Sequence, residues 1–340
     1  MTRRELVKST LEFKNTTGKV PREIWTLPWA KLQYEYEFGK ILNDFPNDIL
    51  TTRPAMAKKS PVGKGDPYVI GSYIDDWGCI FENKINGIVG EVKQPLVNDD
   101  EWHYENKVHI PEEWLSFEIC EVNDFCGSTD GFVLAGCYPR PFEQLQFIRG
   151  TENLFMDLAD PPAQLLKLLK EMHGFYCRLL EKWAATNVDA LMFMDDWGTQ
   201  NSLLINPKTW IQIFKPMYKD YIDIAKKNGK YMFMHSDGNI TYILPHLIEL
   251  GLDAVNTQIF CMDFDELKKF SGHITFWGEI DRQNILPYGS AADVEAAVHK
   301  VMDNFWQKGG VIAQLEFGLD AKPENVRRAL ETWDGYGSGI

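Results

Sequence analysis

The stretch VDALMFMDDWG (188–198) is an apolar run that ends in two acids, and KYMFMHSDG (230–238) repeats this pattern further along the chain. The intervening residues 207–228 have the length and periodicity of a helix that begins with proline. More elements follow the same alternation, with helices at 240–251, 263–272, 291–310 and 322–333 and strands at 252–258, 273–281 and 309–318. Continuously apolar strands that alternate with helices indicate a parallel sheet covered by helices on both faces.

The same alternation extends upstream of this stretch. GFVLAGC (131–137) reads as another strand, and residues 161–187 form a long helical pattern. These segments make six strand–helix units in a row, and we expect 22–28 (REIWTLP) and a segment within 68–92 to bring the strand count to eight. The sequence therefore predicts a (β/α)8 TIM barrel. The rival, a doubly wound sheet, lacks the GxGxxG after a strand that would favour it.

The sequence shows one pattern without an obvious linker, so we expect one barrel domain over residues 1–340. An irregular N-terminal segment and an excursion around 55–115 are predicted within it. Residues 58–67 (KKSPVGKGDP) are rich in Pro, Gly and Lys, which is typical of a surface loop. Residues 68–115 lack helical periodicity, which indicates short strands and loops such as a β-hairpin.

The composition of the chain excludes several classes of function. The 340 residues include 35 Lys and Arg against 49 Asp and Glu, for a net charge of -14. Proteins that bind nucleic acid or anionic membranes need a basic face, which this balance disfavours. No signal peptide and no long apolar span is evident, and the cysteines form no CxxC pair. We therefore expect a cytoplasmic protein with reduced thiols at Cys79, Cys120, Cys126, Cys137, Cys177 and Cys261.

Polar residues stand at the carboxyl ends of the predicted strands, where (β/α)8 barrels gather their functional side chains. Asp195 and Asp196 are candidates for catalysis, although acids at such positions also cap turns. Glu316 lies in an otherwise apolar strand, where a carboxylate is costly unless it is paired or bound to a metal. The full set comprises Asp195, Asp196, Gln200, His235, Ser236, Asp237, Asn256, Gln258, Cys261, Glu279, Asp281, Gln314 and Glu316.

Histidine, thiolate and carboxylate side chains on one rim suit Zn²⁺, which keeps an open position when it is catalytic. We predict one zinc ion per chain, bound by His235 and Glu316 with Cys261 or Asp237 as a third ligand. The alternatives are ordinary ones: His235 as a hydrogen-bonded rim residue and Cys261 as a small buried apolar residue.

Several segments together resemble the uroporphyrinogen decarboxylase superfamily. They are MDDWGTQNSLLINPKTWIQIFKPMYKDYI, MHSDGNITYILPHLIELGLDAVNTQ, WGEIDRQNILPYG, the closing KPENVRRAL and the opening MTRRELVKSTLEFKNTTGKVPREIW. The resemblance covers nearly the whole chain and implies a distorted (β/α)8 barrel.

Within that superfamily, the decarboxylases carry a Met-Arg-Gln-Ala-Gly-Arg stretch whose arginines hold the porphyrinogen carboxylates. The corresponding region here reads PREIWTLPWAKLQYEY. Because a polycarboxylate needs fixed guanidinium partners, the departure disfavours decarboxylation. The resemblance instead favours the branch of zinc-dependent methyltransferases that work with a corrinoid protein.

The coenzyme M methyltransferases of that branch have a His-x-Cys pair and a distant Cys near a Pro-Glu-Asn helix start. His235 matches the histidine, Asp237 stands in place of the cysteine, and Glu316 falls near the last one. Oxygen ligands make zinc a harder Lewis acid, which suits a methyl ether better than a thiolate. The resemblance thus implies transfer from a methoxylated, preferably aromatic, donor to cob(I)alamin, with Asp195 or Asp196 assisting the leaving oxygen.

The chain lacks the Asp-x-His-x-x-Gly signature of a corrinoid-binding module, so the corrinoid is expected on a partner protein that docks over the barrel mouth. Asn256 and Gln258 are expected near this cofactor. The predicted substrate pocket consists of Trp77, Trp197, Gln200, Phe260 and Trp277, with ordinary packing as the alternative for the aromatic residues.

Three other functions stay open at the level of sequence. One is a metal-free lyase similar to uroporphyrinogen decarboxylase, with Asp195 and Asp196 as its acids. Another is a methyltransferase that acts from methylcobamide to a thiol, and the third is a non-catalytic binder of tetrapyrrole or corrinoid. The oligomeric state is open as well, with a homodimer as one option.

Overall fold

The computed structural model describes residues 1–136 and 138–336, and its main feature is a ring of eight parallel strands. These strands are β1 (Arg22–Thr26), β2 (Ile49–Thr52), β6 (Phe132–Ala135), β7 (Ala190–Met194), β8 (Tyr231–Ser236), β9 (Ala254–Thr257), β10 (Thr275–Trp277) and β11 (Val311–Phe317). Their order is β1-β11-β10-β9-β8-β7-β6-β2. The two end strands approach where the Asp48 N–H donates to the Arg22 carbonyl at 2.9 Å. The predicted (β/α)8 TIM barrel is confirmed.

The second barrel strand was expected within 68–92, and that prediction is wrong. The strand is β2, whose sequence ILTT offers four residues and no continuous apolar run. Residues 71–94 instead form a separate antiparallel sheet of β3 (Gly71–Ile74), β4 (Ile80–Asn83) and β5 (Glu91–Gln94). Exposed and buried residues alternate along β4, as expected for a sheet with one face in solvent.

Thirteen α-helices lie in the described part of the chain. They are α1 (Arg3–Leu11), α2 (Pro28–Gln33), α3 (Glu35–Asp44), α4 (Ile119–Ser128), α5 (Pro141–Arg149), α6 (Thr151–Asp157), α7 (Ala163–Ala184), α8 (Pro207–Lys227), α9 (Leu244–Leu250), α10 (Phe264–Lys268), α11 (Ile285–Tyr288), α12 (Ala291–Phe305) and α13 (Pro323–Tyr336). Short 3-10 helices lie at Glu112–Ser116 and Ile259–Cys261. None of these helices combines the length and apolar character that crossing a bilayer requires.

Local sequence sets the ends of several helices. Helix α8 begins where the Asn206 side chain accepts the Lys208 N–H at 2.9 Å, with Pro207 in the first turn. Helix α9 begins later than the predicted 240–251, because Pro245 is tolerated only in a first turn. The five cysteines in the described residues form no disulfide, and Cys137 lies outside those residues.

The barrel interior is filled by alternate residues of the strands, and this alternation positions the site. The interior cluster consists of Val7, Leu11, Ile49, Phe132, Leu134, Ala190, Met192, Phe233, Ala254, Trp277 and Ile312. Helix α1 covers the amino ends of the strands with Val7 and Leu11. Because side chains repeat with period two, the next inward positions at the carboxyl ends are polar: His235, Asn256, Glu279 and Gln314.

Candidate functional site

His235 and two carboxylates form a close group at the carboxyl ends of β7 and β8. The possible ligand atoms of Asp196, His235 and Asp237 lie within 4.8 Å of one another. The His235 Nε2 is 3.6 Å from an Oδ1 of each aspartate. His235 is buried and the carboxylates are partly exposed, so the group faces the barrel mouth.

The other ring nitrogen of His235, Nδ1, is fixed by a hydrogen bond to a side chain of the neighbouring strand. The Nδ1 lies 2.6 Å from the Asn256 Oδ1, and the Asn256 amide nitrogen donates to the Trp277 carbonyl. Because the amide oxygen can only accept, Nδ1 carries the hydrogen in neutral His235 and Nε2 presents a lone pair to the aspartates. A metal-binding histidine is commonly oriented in this way by a partner on its far nitrogen. Asn256 was expected near the cofactor, and in the structure it is the hydrogen-bond partner of the His235 Nδ1.

Two crossing loops explain the DDWG and HSDG sequences. The Asp237 N–H donates to the Asp196 Oδ1 at 2.9 Å, and the Gly198 N–H donates to the Asp237 carbonyl at 3.0 Å. At the crossing, a Cβ added to Gly238 would lie 2.2 Å from the Gly198 carbonyl oxygen, and Gly238 has φ of +74°. Glycines therefore allow the loops to approach until their aspartates share one site.

Arg282 connects Asp237 of the close group with two further carboxylates, and sequence reasoning missed this arginine. Its guanidinium contacts Asp237 directly, lies 3.4 Å from the Glu316 Oε2 and lies 3.7 Å from the Glu279 Oε1. Burial lowers the pKa of Arg282, but the three carboxylates raise it more, so the guanidinium stays charged. Its signal was a lone arginine in WGEIDRQN just after β10, which looks the same in sequence as an ordinary surface charge.

The site holds more negative than positive groups. It contains four carboxylates, on Asp196, Asp237, Glu279 and Glu316, and the guanidinium of Arg282, which contacts the last three. Burial raises the pKa of Asp196 to about 6 and that of Glu279 to about 8, and it also raises the pKa of Glu316. Burial lowers the pKa of His235, while Asp237 and Asp196 raise it, with a net increase. Such a group is suited to a bound cation, which would favour the charged carboxylates.

Asp195 was predicted to be catalytic, but the structure does not bring its side chain into the close group. Its Oδ1 accepts the Glu143 N–H in the first turn of α5 at 2.8 Å, and its Oδ2 accepts the Tyr218 hydroxyl at 2.6 Å. The residue is completely buried, and burial raises its pKa well above the ordinary value. Neighbouring residues of a strand point to opposite faces, so Asp195 faces the helices while Asp196 faces the barrel.

Cys261 and Glu316, both predicted ligands, lie outside the close group. The Cys261 thiol donates to the Gln200 Oε1 at 3.0 Å, and burial raises its pKa, so it stays protonated. With Gln258 and Phe260 it lines a small cavity of about 50 Å³ that also contacts Glu279 and Arg282. The Gln258 Oε1 accepts the Gly238 N–H at 3.0 Å, which supports the loop that carries Asp237.

The predicted aromatic pocket is only partly assembled. Trp77 packs 5.7 Å from Tyr176 on α7, and Trp197 stacks 3.9 Å from Phe142, so both rings lie outside the barrel interior. Trp277 does face the interior. Sequence reasoning missed its neighbour Trp25, whose ring lies 5.2 Å from Trp277 and 5.1 Å from His235.

A cavity of about 490 Å³ opens beside the close group at the barrel mouth. Glu23 and Glu316 are its acids and Arg53 its one arginine among the described residues, while its walls include Trp25, Thr26, Tyr68, Leu134, Tyr138, Met192, Met194 and Trp277. A second cavity of about 560 Å³ shares Tyr138 and Met194 with it and is lined by Lys58, Lys59 and Arg140. Ligands of small-molecule size fit cavities of this kind.

Comparison with known proteins places the chain in a family. The uroporphyrinogen decarboxylase family model matches residues 130–336, more than half of the chain. A methyltransferase from Methanosarcina mazei superposes with a TM-score of 0.69 at 11% identity, covering 99% of both chains. A B12-independent methionine synthase from Shewanella sp. W3-18-1 gives 0.45 at 12% identity and covers 65% of each chain. No curated protein sequence matches. The chain therefore belongs to the uroporphyrinogen decarboxylase family.

Proposed function

We propose that this chain is a methyltransferase that moves a methyl group from a methoxylated aromatic or similar donor to the cob(I)alamin of a partner corrinoid protein. The observation that carries the proposal is the close group of Asp196, His235 and Asp237 at the mouth of the barrel. Its ligand set of one imidazole and two carboxylates suits a hard Lewis-acid cation. The fold likeness to the Methanosarcina mazei methyltransferase agrees with this assignment.

We propose that these three residues hold one Zn²⁺ per chain. The residues fit the ion, because Nε2 of His235 points at the carboxylates of Asp196 and Asp237 from 3.6 Å, and the buried Asp237 Oδ1 has no hydrogen-bond partner in the described part of the chain. Three protein ligands with one open position are typical of catalytic zinc. When bound, zinc would supply Lewis-acid polarisation of an ether oxygen. This assignment uses Asp196 in place of Glu316 and Cys261, which have other partners.

The surrounding residues would hold the ligands in position. Asn256 fixes the ring of His235, and Arg282 fixes the second oxygen of Asp237. The methyl donor would lie in the mouth cavity against Trp25 and Trp277, and the Trp25 ring covers one side of His235. The open side of this cavity would receive a corrinoid protein that docks over the barrel mouth.

One observation favours a second candidate, a metal-free lyase that acts on a carboxylated substrate. Lys58, Lys59 and Arg140 line the adjoining cavity and could pair with carboxylates. Arg140, however, already lies 3.3 Å from the Glu143 carboxylate, and the larger acidic group has no role in this function. We therefore prefer the methyltransferase.

The test incubates the protein with cob(I)alamin and a panel of methoxyarenes, methylamines and methyl thioethers, while methylcobalamin is followed by absorbance. We expect methylation from at least one methoxyarene, its loss in Asp237→Asn, and unchanged activity in the surface variant Glu37→Gln. A parallel assay offers uroporphyrinogen to the same samples. Decarboxylation of uroporphyrinogen without methylation from any donor would reverse the choice.

A further inference from the structure

Several side chains inside the barrel carry polar atoms without a hydrogen-bond partner within residues 1–136 and 138–336, and three of them lie on neighbouring strands beside the mouth cavity. The unpaired atoms of these three are both amide atoms of Gln314, Oε2 of Glu23 and the indole nitrogen of Trp277, and the last two face each other without reaching hydrogen-bond distance. Glu23 is 5% exposed, and Gln314 and Trp277 are 0% exposed. Buried polar groups are nearly always paired in native proteins, so four unpaired atoms in one place indicate a missing partner.

The three side chains lie on adjacent strands. Glu23 on β1 is directly opposite Gln314 on β11, and Trp277 ends the next strand, β10. Gly278 makes room for the amide of Gln314, since a Cβ there would lie 2.1 Å from the Gln314 Oε1. The unpaired atoms therefore form one set rather than three isolated defects.

Within this set, Glu23 and Trp277 lie deeper in the barrel than the proposed zinc ligands. Glu23 precedes Trp25 by two strand positions, a rise of about 6–7 Å, and the Trp25 ring is beside His235. Glu23, Trp25 and Trp277 all line the mouth cavity. The Trp25 and Trp277 rings contact each other edge to face, with centroids 5.2 Å apart, and form one wall of the cavity. The cavity thus runs along this wall from the level of His235 down to Glu23, which suits a ligand with a polar group at its far end.

We propose that Glu23, Gln314 and Trp277 form a floor subsite that binds a hydroxyl group of the methyl donor, at the end opposite the transferred methyl group. The identity of the ligand rests on the proposed function. The floor subsite offers the Trp277 N–H and the Gln314 NH₂ as donors and oxygens of Gln314 and Glu23 as acceptors. A hydroxyl both donates and accepts, so it matches a set that contains donors and acceptors.

Isothermal titration calorimetry with 4-methoxyphenol and 4-methoxytoluene tests the floor subsite, because the two ligands differ only in a hydroxyl and a methyl group. We expect the wild type to bind the phenol about tenfold or more tightly, since the methyl group leaves the buried atoms unpaired. Glu23→Met and Gln314→Met should each reduce the preference to about threefold or less. Glu23→Gln keeps a hydrogen-bonding group of the same shape and should retain most of it, and Glu37→Gln should match the wild type.

Equal affinity of the wild type for both ligands, no measurable binding of either, or a preference that survives in both methionine variants would overturn the floor subsite. Thermal melts of each variant confirm that it is folded. Because the titration requires no corrinoid, its outcome is separate from that of the methyl-transfer assay. A Glu23-dependent preference without methyl transfer would overturn the proposed function alone, and methyl transfer without the preference would overturn the floor subsite alone.

Discussion

His235 uses its two ring nitrogens differently, and this division is the main chemical fact about the site. Nδ1 is bound to the Asn256 amide oxygen, while Nε2 faces carboxylate oxygens at 3.6 Å. A second group of possible ligands, Asp99, Glu101 and His103, lies on an exposed loop. There the His103 N–H and the Lys107 ammonium already bind Asp99. The two histidines therefore offer a matched comparison.

We expect His235→Ala to weaken zinc binding by more than about 100-fold, and Asn256→Ala by about 10–100-fold, as is usual when a partner behind the ligand is lost. His103→Ala should leave the affinity unchanged. Chelator-competition calorimetry with Zn²⁺ measures all three. Loss of zinc binding in His103→Ala with retention in His235→Ala would mean that zinc binds to the exposed loop and not to the close group.

The buried carboxyl of Glu23 affects the pH dependence of stability. Burial raises its pKa to about 8 from an ordinary value of 4.5. Between these values the folded protein keeps a proton that the unfolded chain has lost, so this group makes stability fall as the pH rises from 4.5 to 8.

Glu23→Gln removes that ionisation, so the variant should gain stability relative to the wild type as the pH rises. We expect a gain of about 1–3 kcal/mol at alkaline pH and a much smaller one below the ordinary pKa of glutamate. Urea unfolding across this pH range measures it, and Glu37→Gln, on the surface, should show no such trend. A gain that is largest at acidic pH would mean that the folded protein stabilises the ionised form of Glu23 and lowers its pKa.

At the scale of elements, the loops after β7 and β8 must cross closely for the site to exist. The Gly198 and Gly238 backbones meet at the crossing, and the Asn239 N–H donates to the Thr199 carbonyl at 2.8 Å. The strands that carry these loops could be predicted from their apolar runs. The crossing could not, because it depends on backbone positions set by two different strand–helix units.

We expect Gly238→Ala to destabilise the protein by at least about 2 kcal/mol, because it combines a positive φ with a backbone clash. Gly39→Ala is the control, since a Cβ there meets nothing within 4 Å in α3 and alanine favours a helix by up to about 1 kcal/mol. Chemical denaturation compares the two. Equal stability of Gly238→Ala and the wild type would show that the loops can separate without cost.

The element boundaries show where sequence patterns are informative. Long periodic helices such as α7 and α8 lie within a few residues of their predicted positions, since amphipathic periodicity over five or six turns is hard to mistake. The short β2 was missed because its four residues include two threonines and no apolar run. Its place in the barrel is determined by pairing with β6, which a local pattern does not reveal.

At the scale of the whole molecule, the barrel rule explains which site residues could be predicted. Asp196 and Asp237 follow strands, His235 is the penultimate residue of β8, and the parallel barrel brings these strand ends together. Asp195 also follows a strand, but its side chain points to the surrounding helices and stays outside the close group. Glu23 and Trp25 were missed although they lie in the predicted strand 22–28, because their neighbours in the site come from the far end of the chain. Arg282 was missed because a surface charge and a site charge look alike in sequence.

Helix α1 covers the amino ends of the barrel strands, where Leu11 belongs to the interior cluster and is 7% exposed. We expect Leu11→Ala to cost about 2–5 kcal/mol, as for other buried leucines. Leu32 is 62% exposed, and its replacement by alanine should change stability by less than about 0.5 kcal/mol. Thermal and denaturant unfolding compare them. A small effect of Leu11→Ala would mean that α1 does not contribute to the folded barrel.

The whole molecule is acidic, with a net charge of -14, and part of that charge is concentrated at the barrel mouth. The measurement that tests the central claim most directly is a titration of Zn²⁺ into metal-free protein while the rate of methylcobalamin formation from a methoxyarene and cob(I)alamin is followed. We predict that the rate rises in proportion to zinc, reaches a plateau at one equivalent per chain and stays at background in Asp237→Asn. Full activity of the metal-free protein, or no methyl transfer at any zinc concentration, would contradict the claim.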